Sequence, residues 1–154
     1  MKVRGTAQRL ARLAGGPVLA CMVDQDKNYY FLEMNTRIQV EHPVTEMVTG
    51  IDLIEQMIRI AEGEKLPFTQ KEIKLKGWAI EWRINAEDVQ SGFSPSLGTI
   101  EKISWPEDEG VRVDTGVRDG SVITHYFDSM IAKLIVHAET REKALQKSSL
   151  AIRK

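Results

Sequence analysis

The most chemically varied segment of the sequence lies between residues 33 and 41. Five polar side chains occupy every second position there: Glu33, Asn35, Arg37, Gln39 and Glu41. Successive side chains of an extended strand alternate between its two faces, so all five would point the same way. The alternation predicts a polar strand over residues 33–41, about 26 Å long at about 3.3 Å per residue, that lines one wall of a cleft.

Each of these polar groups has a chemical use. Glu33 and Asn35 offer hard oxygen atoms two residues apart, a donor type that Mg²⁺ accepts together with phosphate oxygens and water. Arg37 has a planar fork that matches a carboxylate, carbonate or phosphate. Gln39 can both donate and accept a hydrogen bond, and Glu41 is a candidate general base. The alternative is a half-exposed strand whose polar face only meets water, because such strands commonly alternate in this way.

The elements on either side of this segment follow from two further patterns. Val18–Val23 and Tyr29–Met34 are apolar runs of strand length around a polar turn, which predicts a β-hairpin. Cys21 lies in the first run and is predicted to be buried and inert. Pro43 suits the first turn of a helix, and Asp52 is a good N-cap, with Glu55 as its capping-box partner.

Two amphipathic helices are predicted after the polar segment, over about 43–49 and 53–62. Their apolar residues recur at three- and four-residue steps, which is typical of a helix face turned toward a core. This predicted face comprises Val44, Met47, Val48, Ile51, Ile54, Met57, Ile58 and Ala61.

The rest of the chain changes to short strands after a polar boundary at residues 64–76. Gly, Pro, Ser and Asp clusters separate predicted strands at 78–86, 98–104, 111–114 and 130–137. A last helix is predicted from Glu139 to Lys154, with Thr140 as its cap. Its predicted inward side carries Ala144, Leu145, Ser148 and Ile152. The helix pattern reaches the last residue without a stop signal, which predicts a truncated chain.

Composition narrows the class of protein. The 154 residues include 21 Lys and Arg against 22 Asp and Glu, a net charge of −1, which argues against a nucleic-acid partner. No apolar run approaches the roughly 18 residues of a membrane span, so no membrane partner is expected either. The single cysteine gives no sign of an oxidising compartment, and a cytoplasmic location is predicted. The Arg-rich, acid-free start over residues 1–16 can also be a transit peptide, which would imply the mitochondrial matrix, or an altered start.

Several ordered motifs resemble one family. The stretch Glu-Met-Asn-Thr-Arg-Ile-Gln-Val-Glu-His-Pro-Val-Thr-Glu from residue 33 resembles the active-site strand of biotin carboxylase, the ATP-grasp component of acyl-CoA and pyruvate carboxylases. The resemblance covers residues from about 23 to 154. It continues through residues 49–53, 79–88, 93–98, 111–116 and 126–134. The segment at 111–116 is most similar to acyl-CoA carboxylase α-subunits, the propionyl-CoA type included.

The resemblance implies roles for the residues of the polar segment. By this resemblance Glu33 and Asn35 ligate the Mg²⁺ or Mn²⁺ that bridges the phosphates of ATP, and Glu33 thereby takes part in ATP binding. The resemblance makes Arg37 a catalytic residue that binds bicarbonate. Gln39 and the backbone of Val40 hold bicarbonate as well.

Two further catalytic roles are implied outside the metal and bicarbonate positions. Glu41 is implied to be the base that deprotonates bicarbonate, and Arg83 to stabilise the enolate of biotin, a role that needs a fixed cation. Without the motif, Arg83 would be a structural ion-pair partner of Glu81 or Glu87. We expect all of these groups to face one cleft.

The implied fold class is α+β. The resemblance implies the C-terminal part of an ATP-grasp core, with antiparallel strands and helices, followed by the small biotin carboxylase C-terminal α+β domain. The predicted division is an unmatched segment at 1–17, the ATP-grasp part at 18–68, and a C-terminal domain at 69–154 that is truncated at its end. The implied cofactors are ATP, Mg²⁺ or Mn²⁺, and biotin on a carrier.

The resemblance also implies partners. These are the biotin carboxyl carrier domain, a carboxyltransferase subunit, bicarbonate, and a second copy of the chain bound through the C-terminal domain. The segment at 105–112 corresponds to a region near the dimer contact of the family.

The sequence departs from the family in two respects. The strand before the hairpin turn normally reads like Gly-Thr-Val-Glu-Phe, and counting back from Glu33 places its metal-binding glutamate at Ala20. The glycine-rich ATP lid of the family lies upstream of this chain's first residue. We therefore expect no turnover from the chain alone, because phosphoryl transfer depends on positioning and charge neutralisation. The alternatives are a non-catalytic dimerisation or interaction module derived from a carboxylase, and another ATP-grasp ligase, against which the motifs at 41–45 and 80–83 argue.

Overall fold

The computed structural model describes residues 18–153, with side chains from residue 20 onward. The predicted segment at 1–17 and the last residue of the predicted final helix lie outside the described residues. The chain divides into two compact units at the peptide bond between His42 and Pro43.

The first unit contains the predicted hairpin. Strands β1 (Val18–Val23) and β2 (Tyr29–Asn35) pair in antiparallel fashion. Ala20 stands opposite Glu33, and the register shifts between Ala20 and Cys21. Cys21 is half-buried, so the expectation of a buried thiol was wrong. Its strand has no second layer over it within the described part of this unit, because the unit consists of the hairpin and the loop after it.

A carboxylate closes the hairpin turn. The Asp24 side chain accepts hydrogen bonds from the Asn28 backbone N–H at 2.8 Å and from the Tyr30 hydroxyl at 3.0 Å. The hydrogen bonds from Asn28, with a smaller one from Tyr30, lower the pKa of Asp24. Together with the Lys27 N–H, which donates to the Asp24 carbonyl oxygen at 3.1 Å, these hydrogen bonds form the turn that separates the two strands.

The predicted polar strand over 33–41 ends early, at Asn35. Residues 36–41 form a loop and a turn instead. The His42 N–H donates to the Gln39 carbonyl oxygen at 3.2 Å, and His42 Nδ1 lies 2.7 Å from the same oxygen. The chain has to turn there because helix α1 (His42–Thr49) begins at once, with Pro43 favouring its first turn. The prediction of one shared strand face is therefore wrong beyond Asn35.

Both predicted helices are confirmed. Helix α1 is followed by α2 (Leu53–Ala61), whose N-cap is Asp52, as predicted. The Asp52 side chain accepts from the Glu55 N–H at 2.8 Å. The Glu55 carboxylate pairs with Arg59 at 2.7 Å, an i,i+4 ion pair on the exposed side of α2.

The apolar face of α2 is exposed. Ile54, Met57 and Ile58 are 40%, 48% and 57% exposed, and α2 has no buried residue. The prediction that these residues face a core is therefore wrong for the described chain. The spacing of apolar residues indicates that a helix has an apolar side, but it does not indicate whether another part of the chain covers that side.

A three-stranded antiparallel sheet is the centre of the second unit. Its order is β3 (Trp78–Asn85), β9 (Met130–Ala138) and β7 (Val111–Thr115), close to the predicted strands. Trp78 and Trp82 on β3 are 53% and 38% exposed.

Helix α3 (Arg141–Ala151) packs on one face of this sheet, after the N-cap Thr140. Its buried residues are Ala144, Ser148 and Ala151. Leu145 and Ile152, predicted to face inward, are 41% and 49% exposed. They lie one position past the buried residues, and each step of one residue rotates the side chain by about 100° around the helix.

Two short ladders complete the unit. Strand β4 (Glu87–Asp88) pairs with β5 (Ser94–Pro95), and β6 (Gly98–Thr99) pairs with β8 (Val122–Ile123). The predicted strand at 98–104 is therefore wrong in extent.

Side-chain and turn hydrogen bonds end that strand early. The Ile100 carbonyl accepts from the Gly120 N–H at 2.7 Å, and the Ile103 N–H donates to the Asp119 carboxylate at 2.7 Å. The described chain thus has the α+β mixture that was predicted. None of its described helices combines the length and apolar character needed to cross a membrane.

Candidate functional site

Glu33 and Asn35 lie together on strand β2. They are two residues apart, so their side chains share one face of the hairpin. Asn35 Nδ2 donates to Glu33 Oε1 at 3.3 Å. The two residues predicted to hold a metal are therefore brought together by the strand itself.

Ala20 faces this pair of residues from the neighbouring strand. Its Cα is the register partner of Glu33, so the position reached by counting back along the sequence is also the position that the hairpin places opposite. A methyl group supplies no ligand atom. Among residues 18–153, no group of three or more His, Cys, Asp and Glu side chains could hold a metal ion. The hairpin offers two donor residues, one carboxylate and one amide.

The predicted bicarbonate residues lie in the loop after β2. Arg37 is exposed, and its Nη1 donates to the Ile38 carbonyl oxygen at 3.0 Å. The Gln39 carbonyl oxygen accepts both hydrogen bonds from His42. Val40 and Glu41 form the turn that enters α1. These four residues all lie within residues 37–41 of one loop, whose end is held by the hydrogen bonds from His42 to Gln39.

Arg83 belongs to the second unit, on strand β3. Its side chain is 54% exposed, and its Nε lies 3.9 Å from Oε1 of Glu81, whose side chain is 6% exposed. This distance exceeds the 2.7–2.9 Å typical of a charge-assisted hydrogen bond. The Glu81 ion pair offered as the structural alternative is thus present but long. Glu87 accepts from the side chains of Asn85 and Ser129.

A charged network on the same sheet was missed in the sequence. Glu46 of α1 is 7% exposed, and its two carboxylate oxygens accept from the Leu53 N–H and from Arg112 Nη1, each at 2.7 Å. Arg112 also holds both oxygens of Asp114, at 2.7 and 2.9 Å. Lys133 Nζ lies 3.6 Å from Asp114. The only sequence signal was the alternation of Arg112 and Asp114 on one strand face.

The network shifts the protonation of its members. The hydrogen bonds to Asp114 and to Glu46 raise the pKa of Arg112. Burial alone would raise the pKa of Asp114, but the hydrogen bonds and charge of Arg112, assisted by Lys133, lower it. Both groups are therefore held in their charged forms.

Two histidines have packing roles. His125 lies against the Tyr126 ring, with ring centroids 4.0 Å apart. His137 Nε2 lies 2.9 Å from the Lys76 carbonyl oxygen, which ties the segment before β3 to strand β9.

Two domain families match the chain. Residues 81–154 match the biotin carboxylase C-terminal domain, and residues 5–69 match the ATP-binding domain of the carbamoyl-phosphate synthase L chain. The second match begins at residue 5, inside the segment that was predicted to be unmatched.

Curated relatives agree with these matches. Biotin carboxylase 2 of Bacillus subtilis (strain 168) is 49% identical over 156 residues, which cover 99% of this chain and 35% of the relative. The mitochondrial propionyl-CoA carboxylase alpha chain of Caenorhabditis briggsae is 46% identical, covering 98% of this chain and 21% of the relative. The chain thus spans between a fifth and about a third of the length of these relatives.

Solved structures share the fold. The biotin carboxylase domain of Hydrogenobacter thermophilus 2-oxoglutarate carboxylase has a TM-score of 0.88 at 48% identity, over 94% of this chain and 32% of that one. The biotin carboxylase subunit of a pyruvate carboxylase has a TM-score of 0.89 at 45% identity, over 96% and 34%. The two domain matches, the identities near one half and the shared fold all lead to one conclusion: the chain belongs to the biotin carboxylase family.

Proposed function

We propose that this chain carries metal, bicarbonate and biotin residues of an ATP-dependent biotin carboxylase, a ligase that carboxylates biotin on a carrier protein within an acyl-CoA carboxylase. The observation that carries the proposal is the contact between Asn35 and Glu33, 3.3 Å apart on one hairpin face. The structure of the Hydrogenobacter relative is described as a complex with MgADP and bicarbonate. The curated relatives include acyl-CoA carboxylase chains of the propionyl and methylcrotonoyl types.

Glu33 and Asn35 fit a hard divalent cation. A carboxylate and an amide oxygen are ligands that Mg²⁺ and Mn²⁺ accept, usually from one or two residues alongside phosphate oxygens and water. Rotating the Asn35 amide by half a turn would present its oxygen where its nitrogen now meets Glu33. When bound, the cation would neutralise charge on the phosphates of ATP.

The loop residues fit the binding of a small planar anion. The Arg37 guanidinium can donate two parallel hydrogen bonds to bicarbonate, and Gln39 can add a further donor. The backbone N–H of Val40 is our third proposed donor. Glu41 would remove the bicarbonate proton, since a carboxylate within hydrogen-bond reach of its substrate acts as a general base.

Arg83 fits the stabilisation of a developing oxyanion. It lies on β3, an edge strand whose backbone is held by pairing with β9, and its side chain remains more than half exposed. A fixed cation beside a developing enolate oxygen lowers the barrier because little reorganisation is needed during the reaction.

Mn²⁺ titration followed by amide NMR tests the metal proposal directly. Paramagnetic broadening should centre on residues 33–35 of the wild-type chain, and Glu33→Gln should abolish it because the only carboxylate of the pair is lost. Glu72→Gln, at an exposed carboxylate in the second unit, is the matched control and should leave the broadening unchanged. Broadening that survives in Glu33→Gln would show that this hairpin does not hold the metal.

The finer assignments are also proposals. We place the ATP-grasp part at 18–68 and the C-terminal domain at 69–154, in the cytoplasm or, as in the worm relatives named mitochondrial, in mitochondria. Partners would be a biotin carboxyl carrier domain, a carboxyltransferase subunit and a second copy of the chain. The Hydrogenobacter relative is described as a dimer, which supports the last of these.

A second candidate function is a non-catalytic interaction module. The exposed apolar side chains of Ile54, Met57 and Ile58 on α2 favour it. Pull-down with an intact carboxylase subunit separates the two candidates. Stable association without any nucleotide binding by this chain supports the module, whereas metal-dependent nucleotide binding supports the carboxylase role.

A further inference from the structure

A single row of charged residues crosses the sheet of the second unit at the position of Arg83. Arg83 on β3 stands opposite Lys133 on β9, and Lys133 stands opposite Asp114 on β7. Directly opposite residues of neighbouring strands point to the same face of a sheet. Two cations and one carboxylate are therefore side by side, with Lys133 in the middle.

The carboxylate end of this row is firmly held. Lys133 has a side chain only 13% exposed, and its Nζ lies 3.6 Å from Asp114 Oδ2. Both oxygens of Asp114 also accept from Arg112, and Arg112 Nη1 reaches the buried Glu46 at 2.7 Å. Asp114 is thus committed to two cations that are themselves fixed by the sheet and by α1.

The Arg83 end of the row is under repulsion. Like charges directly opposite each other on neighbouring strands are unfavourable. The Arg83 guanidinium has its long contact with Glu81 along its own strand, and its side chain is 54% exposed. Asp114, two strands away, lies about 10 Å from Arg83 at the usual strand spacing, a span that the two side chains can bridge together. Lys133 stands between them.

We propose that Lys133 is a positioning residue for Arg83: it occupies Asp114 and repels the Arg83 guanidinium, which keeps that guanidinium from folding across the sheet onto Asp114. The inference rests on the proposed role of Arg83 toward the biotin enolate. By this arrangement the guanidinium of Arg83 is kept from pairing with Asp114.

Residue-resolved phenylglyoxal labelling of arginines tests the inference on the full chain without any need for turnover. In Lys133→Met the label should enter Arg83 about threefold more slowly than in the wild type, a size expected for a new exposed ion pair with Asp114. Lys133→Arg should restore the wild-type rate because the charge returns. Arg118, an exposed arginine in the same unit, is the reference within each sample.

A double variant separates positioning from damage to the fold. In Lys133→Met with Asp114→Asn, Arg83 has lost the carboxylate that it would fold onto, so fast labelling should return. Unchanged Arg83 labelling in Lys133→Met, or slow labelling that persists in the double variant with Arg118 unaffected, overturns the inference. Added biotin should also protect Arg83 in the wild type, and failure of that protection alone counts against the proposed role of Arg83 and not against its positioning by Lys133.

Discussion

At the scale of single residues, a single side chain on the hairpin decides whether the proposed metal site has two donor residues or three. Ala20 is the register partner of Glu33, which in turn contacts Asn35. This geometry follows from strand pairing alone. The resemblance to the family located all three positions, whereas the register shift between Ala20 and Cys21, which places Ala20 opposite Glu33, was not predicted.

Replacing Ala20 with glutamate should therefore strengthen metal binding. A second carboxylate opposite Glu33 adds a hard oxygen ligand, and we expect Ala20→Glu to lower the Mn²⁺ dissociation constant by about tenfold, measured by titration calorimetry. Cys21→Glu, one position along, is the control that adds the same charge away from the Glu33 register partner. If both variants lower the Mn²⁺ dissociation constant equally, the tighter binding comes from added negative charge in general and not from a ligand placed opposite Glu33.

The small number of metal ligands should also limit activity. The wild-type chain alone should show no biotin-dependent ATP hydrolysis, because the proposed metal site has one carboxylate and one amide, and residues 18–153 contain no group of three or more His, Cys, Asp and Glu side chains that could hold a metal ion. Turnover near that of an intact carboxylase in a phosphate-release assay would contradict this.

At the scale of elements, the Glu46 side chain connects three of them. It lies within α1, accepts the Leu53 N–H at the start of α2, and pairs with Arg112 on β7. The first N–H groups of a helix lack partners within the helix, so a buried carboxylate satisfies a real need there. No local sequence pattern predicts the contact between Glu46 and Arg112, because the two residues are 66 positions apart.

Glu46→Gln should destabilise the second unit. The amide oxygen can still accept from the Leu53 N–H, but Arg112 loses one of its two carboxylate partners and keeps Asp114. We expect a loss of about 1–3 kcal/mol in the free energy of unfolding, measured in urea. Glu107→Gln, at an exposed glutamate of the same unit, should change stability by less than about 0.5 kcal/mol. If Glu46→Gln leaves the free energy of unfolding unchanged, water stabilises the Arg112 guanidinium as well as the Glu46 carboxylate does.

Elements with local causes were predictable, and elements with distant causes were not. The Asp52 and Thr140 caps follow from side chains that reach N–H groups three residues on, so the starts of α2 and α3 were found. The strand expected at 98–104 ends because Asp119, far along the chain, takes the Ile103 N–H. The polar strand ends at Asn35 because His42 closes a turn onto Gln39. Alternation of polar residues alone did not reveal that turn.

At the scale of the whole molecule, acid sensitivity should come mainly from one carboxylate. The pKa of Asp114 in the folded chain lies below its value of 3.8 in the absence of structure, because Arg112 and Lys133 outweigh the effect of burial. A carboxylate with a lowered pKa stabilises the fold fully above its unfolded pKa, and that contribution is lost as the pH falls through the folded value. The other lowered carboxylates, among them Asp24 and Glu139, are fully exposed and contribute less.

The expected outcome is a stability that falls as the pH drops below about 4 and that depends on this group. Asp114→Asn should be less stable at neutral pH and should show a shallower acid slope in urea titrations from pH 6 to pH 2.5. Asp88→Asn, at an exposed carboxylate whose pKa is lowered by hydrogen bonds from Ser91 and Gln90, should change the slope less than Asp114→Asn does. Equal slopes for all three proteins would assign the acid response to other groups.

The charged sheet face has a consequence for how an anion would approach it. Three cations, Arg83, Lys133 and Arg112, are matched there by three carboxylates, Glu81, Asp114 and Glu46. Because positive and negative charges are equal in number and alternate, their electrostatic potentials largely cancel. The potential of this face is therefore small beyond the roughly 8 Å screening length of physiological salt. Such a face does not steer an anion from a distance, so association with it should be governed by ordinary diffusion and depend only weakly on ionic strength. The selectivity of Arg83 would then be exercised at contact, after the encounter.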